Sequence, residues 1–139
     1  MTQEERQKEK ELLLNVLKDG LPYGLQLKIT DINKFTFNGE LCVLSKNWCR
    51  LNIADPVKRA KVKNQTIPLN SIYIKPYLRS MSSMTEEEVD EFTQFDVYAN
   101  GEYIMPNYEV IDWLNAHHFD YRGLIKKGLA LEASKGMYN

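Results

Sequence analysis

The sequence predicts a single α+β domain over residues 1–139, and three observations carry that prediction. Capping-box pairs open a helix near each end of the chain, Thr2 with Glu5 and Thr85 with Glu88. Between them lie short stretches of period-two alternation separated by turn residues, the pattern of half-buried strands. The apolar fraction of 43% and charged fraction of 27% suit a globular chain of 139 residues with a core of its own. No internal repeat or low-complexity linker divides it. The expected layout is a helix over 1–20, an antiparallel sheet over 23–76 and a helical part over 80–128.

The first helix carries an i, i+3, i+4 stripe of Leu13, Val16 and Leu17, with Gly20 as its left-handed stop. Leu25, Leu27 and Ile29 then alternate with polar residues as a first strand. Phe35 to Phe37, Asn38-Gly39 and Leu41 to Leu44 read as a hairpin, with Gly39 in a bulge and Phe35, Leu41 and Val43 on one face. Cys49, Leu51 and Ile53 alternate in a further strand. Ile72 and Ile74 mark another, stopped by Pro76, which has no ladder donor. The intervening ADPVKRAKVKNQT reads as a basic loop or short excursion. Four to five strands this closely spaced suggest a partly closed, SH3-like barrel.

Past Ser80 a second helix runs to about Phe95, Asn100-Gly101 turns the chain, and Pro106-Asn107 opens a third helix. Asp120 is placed to cap a short fourth helix through Leu124 and Ile125, with Lys126, Lys127 and Gly128 at its end. The segment HHFDYRG, residues 117–123, holds the only two histidines. Adjacent helical residues diverge by about 100°, so His117 and His118 are weak metal candidates, and the HExxH spacing is absent. The expectation is an architectural joint: Phe119, Leu124 and Ile125 buried, and the Tyr121 hydroxyl on a polar partner.

No other motif points to catalysis. There is no GxSxG, no phosphate-cradling glycine loop and no GxGxxG after a strand. Cys42 and Cys49 read as structural thiols of a reduced, intracellular protein. No cofactor is expected, and no enzyme activity. The N-terminus has no apolar segment behind a basic start, and no run is long enough to span a membrane.

Charge is the least ordinary property. The net value of −1 hides eight basic residues against one acid from Val43 to Arg79, then ten acids with no lysine or arginine from Ser80 to Tyr121. This polarity supports three binding readings. An accessory module could bind another protein or itself as a homodimer, basic patch against acidic patch. Lys58, Arg59, Lys61 and Lys63, with Trp48 and Tyr73 in neighbouring strands, could take nucleic acid. Glu86, Glu87, Asp90 and Glu91 could present an acidic face as a decoy for a nucleic-acid-binding partner.

Three passages, IKPYLRSMSSMTEEE at 74–88, IDWLNAHHFDYRGLI at 111–125 and GLALEASKGMY at 128–138, resemble short uncharacterised proteins encoded by prophages and mobile elements of gut bacteria. The likeness covers the C-terminal half, and residues 1–70 carry little of it. No activity attaches to these strings, so no catalytic residue is carried over. The resemblance implies an accessory protein in the cytoplasm of a bacterial host.

Overall fold

The computed structural model describes residues 2–30, 33–54, 62–69, 73–95, 98–99, 102–103 and 108–138. Helix α1, Gln3–Gly20, opens on the expected capping box: Thr2 Oγ1 accepts from the Glu5 amide at 3.1 Å, and Glu5 accepts in return from the Thr2 amide at 3.3 Å. Its stop is not Gly20. The chain continues through a 3-10 turn at Leu21–Tyr23, and Gly24 takes the left-handed conformation at φ 72° while the Leu25 amide closes on the Gly20 carbonyl. Gly20 is instead a close-approach site, where a Cβ would lie 2.8 Å from Leu25 Cδ2.

Strands β1 (Gln26–Thr30), β2 (Thr36–Leu44), β3 (Trp48–Ala54), β4 (Val62–Pro68) and β5 (Tyr73–Leu78) form antiparallel neighbours in the order β4-β3-β2-β1-β5. This is the expected α+β class. A sixth strand, β8 (Leu131–Glu132), adds a parallel edge on Tyr77 and Leu78, so the sheet is mixed and longer by one strand than expected.

Four local expectations fail for reasons visible in the packing. Asn38-Gly39 is no hairpin turn but the middle of β2, paired with Lys28 and Leu27. Glycine suits the position because β3 presses close: a Cβ would meet Ile53 Cγ1 at 3.1 Å and the Asn52 carbonyl at 3.2 Å, tight enough to push either aside. The register shift falls between Leu41 and Val43, which turns Val43 outward, and Phe35 is 70% exposed, so only Leu41 of that trio is buried. Residues 62–66 of the basic segment belong to β4, which runs on to Pro68, rather than to a loop. Polar residues dominate that edge strand and hide its alternation. Pro76 does not stop β5; the strand runs through it to Leu78, and β8 pairs only from Tyr77 onward, so no ladder donor is missed there.

The sheet is curled. Pro68 pairs with Trp48 at one end of the strands and Tyr73 with Thr30 at the other, four strand positions apart. A flat sheet would separate them by more than about 19 Å across its width alone. Five chain steps reach about 18 Å at most. Curling brings Ile67 and Ile74 into one core with Leu25, Leu27, Ile29, Leu41, Cys49, Leu51 and Leu78, covered by Val16 and Leu17 of α1.

The C-terminal part forms a second, smaller core. Helix α2 (Glu86–Thr93) opens on the expected Thr85–Glu88 box. A two-strand ribbon, β6 (Tyr98–Ala99) with β7 (Glu102–Tyr103), flanks the Asn100-Gly101 pair, which lies outside the described residues, as does the Pro106-Asn107 helix start. Helix α3 is Tyr108–Ala116. Val110, Leu114 and Phe119 are buried against Met84, Phe92, Phe95 and Trp113. No helix among the described residues is long and apolar enough to cross a membrane.

Candidate functional site

The HHFDYRG segment is the joint between the two cores. Helix α3 ends at Ala116, and His118 takes the left-handed conformation at φ 60°. The His118 amide donates to the Asn115 carbonyl and the Phe119 amide to the Leu114 carbonyl, the paired closure that usually places glycine at this position. Histidine holds it because its ring is locked. Only 5% exposed, it stacks on Tyr138 at 3.7 Å between centroids and hydrogen-bonds the Tyr23 backbone. Burial pushes its pKa down to about 4, against the Tyr23 bond, so the ring is neutral at pH 7. Its Nδ1 has no hydrogen-bond partner among the described residues.

Asp120 caps the next segment, accepting from the Leu124 amide at 2.8 Å and the Ile125 amide at 2.9 Å. The expected fourth helix is a series of turns closed at Gly128, because Gly123 at φ 76° breaks helical geometry one residue before it could start. Phe119 and Leu124 are buried, Ile125 half-buried, and Lys126 and Lys127 exposed. The Tyr121 hydroxyl reaches Asn115 Oδ1 at 2.8 Å.

Beside this joint sits an ion-pair cluster. Arg79 donates to both Glu88 oxygens, at 2.6 and 2.7 Å, and its guanidinium lies 4.3 Å from the Phe119 ring centroid. His117 Nδ1 lies 3.2 Å from the same carboxylate. The Arg79 bonds hold the Glu88 carboxyl down at about 2. An open cleft of about 370 Å³ runs past these groups and is bordered by Glu87, Glu91 and Tyr138. Its one cation and the Glu88 carboxylate already satisfy each other. His117 and His118 face different partners, and among the described residues no three His, Cys, Asp or Glu side chains come together as a metal site. Cys49 is fully buried and its thiol is pushed up to about 11, the protonated and unreactive state. The cluster therefore clamps β5 to α2 and α3.

The outer face of the sheet is different. The residues alternating with the core point outward: Lys28 and Thr30 on β1, Asn38 on β2, Trp48 and Arg50 on β3, Tyr73, Lys75 and Tyr77 on β5. Register places Lys28 directly opposite Lys75. Among the described residues no carboxylate lies within ion-pair distance of Lys28, Lys75 or Arg50. Tyr73, paired with Thr30, is 77% exposed. The Tyr77 hydroxyl crosses β1 to donate to Asn38 Oδ1 at 2.9 Å. Toward the other end of the face, Arg50 lies 5.6 Å over the Trp48 ring and donates to Thr66.

Of the residues singled out in the sequence, Lys58, Arg59 and Lys61 lie outside the described residues, and Lys63 pairs with Ile53 within β4. Glu86, Glu87, Asp90 and Glu91 are all exposed on α2, with Glu91 accepting from the Trp113 indole. Trp48 and Tyr73 do share the outer face. Lys28 and Lys75 each alternate with core residues legible in the sequence, whereas Asn38 has the composition of a turn and Tyr77 lies past the expected strand end at Pro76. No family model, curated protein or solved structure matches the chain.

Proposed function

We propose that the protein is a non-enzymatic module that binds nucleic acid through the outer face of its sheet. One observation carries the reading: Lys28 and Lys75 face each other across β1 and β5 with no carboxylate in reach among the described residues. Like charges directly opposite weaken a sheet, and a polyanion seated over them turns that repulsion into attraction. Arg50 extends the positive face, and the connection carrying Lys58, Arg59 and Lys61 joins β3 to β4. The C-terminal resemblance sets the context of the proposal: an accessory protein of a prophage or mobile element, acting in the cytoplasm of its bacterial host.

Fluorescence polarisation with labelled DNA and RNA at low salt tests it. Three phosphate contacts predict a log–log salt slope of about −2 on a single strand. Absence of binding to every probe at low salt overturns the reading.

A second reading has its own support. The exposed Glu86, Glu87 and Asp90 on α2 complement the basic sheet face, so one copy could dock on another, or the acidic helix could occupy a nucleic-acid-binding partner. Sedimentation at two salt concentrations tests self-association, which must weaken as salt rises.

A further inference from the structure

We infer that the ligand of the sheet face is a single strand with unstacked bases, held on a tyrosine–lysine–tyrosine ladder along β5. This inference rests on the nucleic-acid reading and names its substrate class. Tyr73, Lys75 and Tyr77 occupy successive outward positions of one strand, because Ile74 and Pro76 between them, and Leu78 after them, are buried. The two tyrosines are therefore about 13 Å apart along the strand, with Lys75 midway and Lys28 beside it on β1. Phosphate belongs at the centre and a base at each end.

The two rings are prepared differently for that task. Tyr77 is held in place by its hydroxyl on Asn38 Oδ1, and among the described residues the Asn38 amide nitrogen, a donor, makes no hydrogen bond. Tyr73 is 77% exposed, and among the described residues its side chain touches no other ring and makes no hydrogen bond. A large exposed aromatic with nothing covering it, next to an unneutralised lysine pair, matches what a nucleobase requires: a π-face for the ring and a cation for the adjoining phosphate. Trp48, with Arg50 above it, offers a further stacking position on the same face for a longer strand.

A duplex fits poorly. Its bases are stacked inside and expose only their edges to grooves, so Tyr73 would gain no stacking partner. Helices α2 and α3 contain no lysine or arginine, so neither offers a basic helix for a major groove. The curled sheet presents a convex surface, which a flexible strand can follow and a stiff duplex cannot.

The test uses the full chain with labelled oligothymidylate, oligouridylate and a duplex of the same length, each titrated at several salt concentrations. The expected result is single-strand binding at least about tenfold tighter than duplex binding. Tyr73→Ala should weaken single-strand binding about fivefold or more without changing the salt slope, and Tyr73→Phe should restore it. Lys75→Gln should instead lower the magnitude of the slope by about 0.7. Tyr73→Leu keeps an apolar side chain without a π-system and should bind like the alanine variant, which separates stacking from loss of fold; unchanged melting temperatures check this directly. Equal affinity for duplex and single strand, untouched by Tyr73→Ala, overturns the inference and leaves a general polyanion face. Failure of every probe to bind overturns the nucleic-acid reading with it.

Discussion

Two groups of cations in this chain are treated in opposite ways. Arg79 is enclosed: two bonds to Glu88, one to the Ser83 carbonyl, and the Phe119 ring beneath it. Lys28 and Lys75 are set against each other on the outer sheet face with no carboxylate in reach among the described residues. The first arrangement is intramolecular and complete, so its energy goes into holding the helical part on the sheet. The second costs the fold a little and leaves charge available to a partner. Side chains of the same sign thus divide into those that build the molecule and those that face outward from it.

Breaking the enclosed group should give the largest effect. Arg79→Ala leaves Glu88 without its cation at a side-chain exposure of 12% and removes the contact with Phe119. A loss of about 3–4 kcal/mol in chemical denaturation is expected, and Arg79→Met combined with Glu88→Leu should recover much of it. Acid should act nearly as strongly. His118 titrates at about 4 in the folded chain and near 6.5 when unfolded, so the unfolded state binds the extra proton. Stability is full above pH 6.5 and falls by on the order of 3 kcal/mol as pH drops toward 4. Glu88, held down at about 2, adds a second loss below about 4.5, where the unfolded carboxyl protonates first. His118→Gln should flatten the upper window and leave the lower one, as denaturation at a series of pH values would reveal.

Smaller effects sharpen the contrast. Asp120→Ala removes an acceptor from two amides and should cost about 1 kcal/mol by the same measurement. Lys75→Gln, on the open face, should shift stability by no more than about 0.5 kcal/mol, and in the stabilising direction because it relieves Lys28. A clear loss of stability in that variant would place Lys75 among the residues that hold the fold.

How much could be read in the sequence depends on the range of the interactions involved. Both capping boxes, the Leu25–Leu27–Ile29 and Cys49–Leu51–Ile53 alternations, and the Asp120 cap depend on neighbours within a few residues, and all are present. The failures are positions where a distant strand decides. Asn38-Gly39 has the composition of a turn, but β3 uses the missing Cβ for close approach. Pro76 has the composition of a stop, but the sheet neighbour that would need its donor begins one residue later. The same limit hid the lysine pair. Lys28 and Lys75 each sit beside a recognised core position, yet they meet only through the register of two strands far apart in sequence. The left-handed histidine was equally hidden, since its locking partner, Tyr138, lies near the far end of the chain.

Tyr138 also sets an order of events for folding. Its hydroxyl accepts from the Gln26 amide at 2.9 Å and donates to the Tyr77 carbonyl at 2.7 Å, so it stands between β1 and β5 just where their direct pairing ends at Leu27 and Pro76. The bond to Gln26 joins residues 112 positions apart. Such a contact bears the full entropy of closing that loop, so it belongs among the late steps of folding. During synthesis the first strand emerges early, and the bridge from its Gln26 amide to the Tyr77 carbonyl forms only after residue 138 has left the ribosome. The sheet can begin before residue 138 is made, but the junction of β1 with β5 is finished by a side chain 112 positions beyond Gln26.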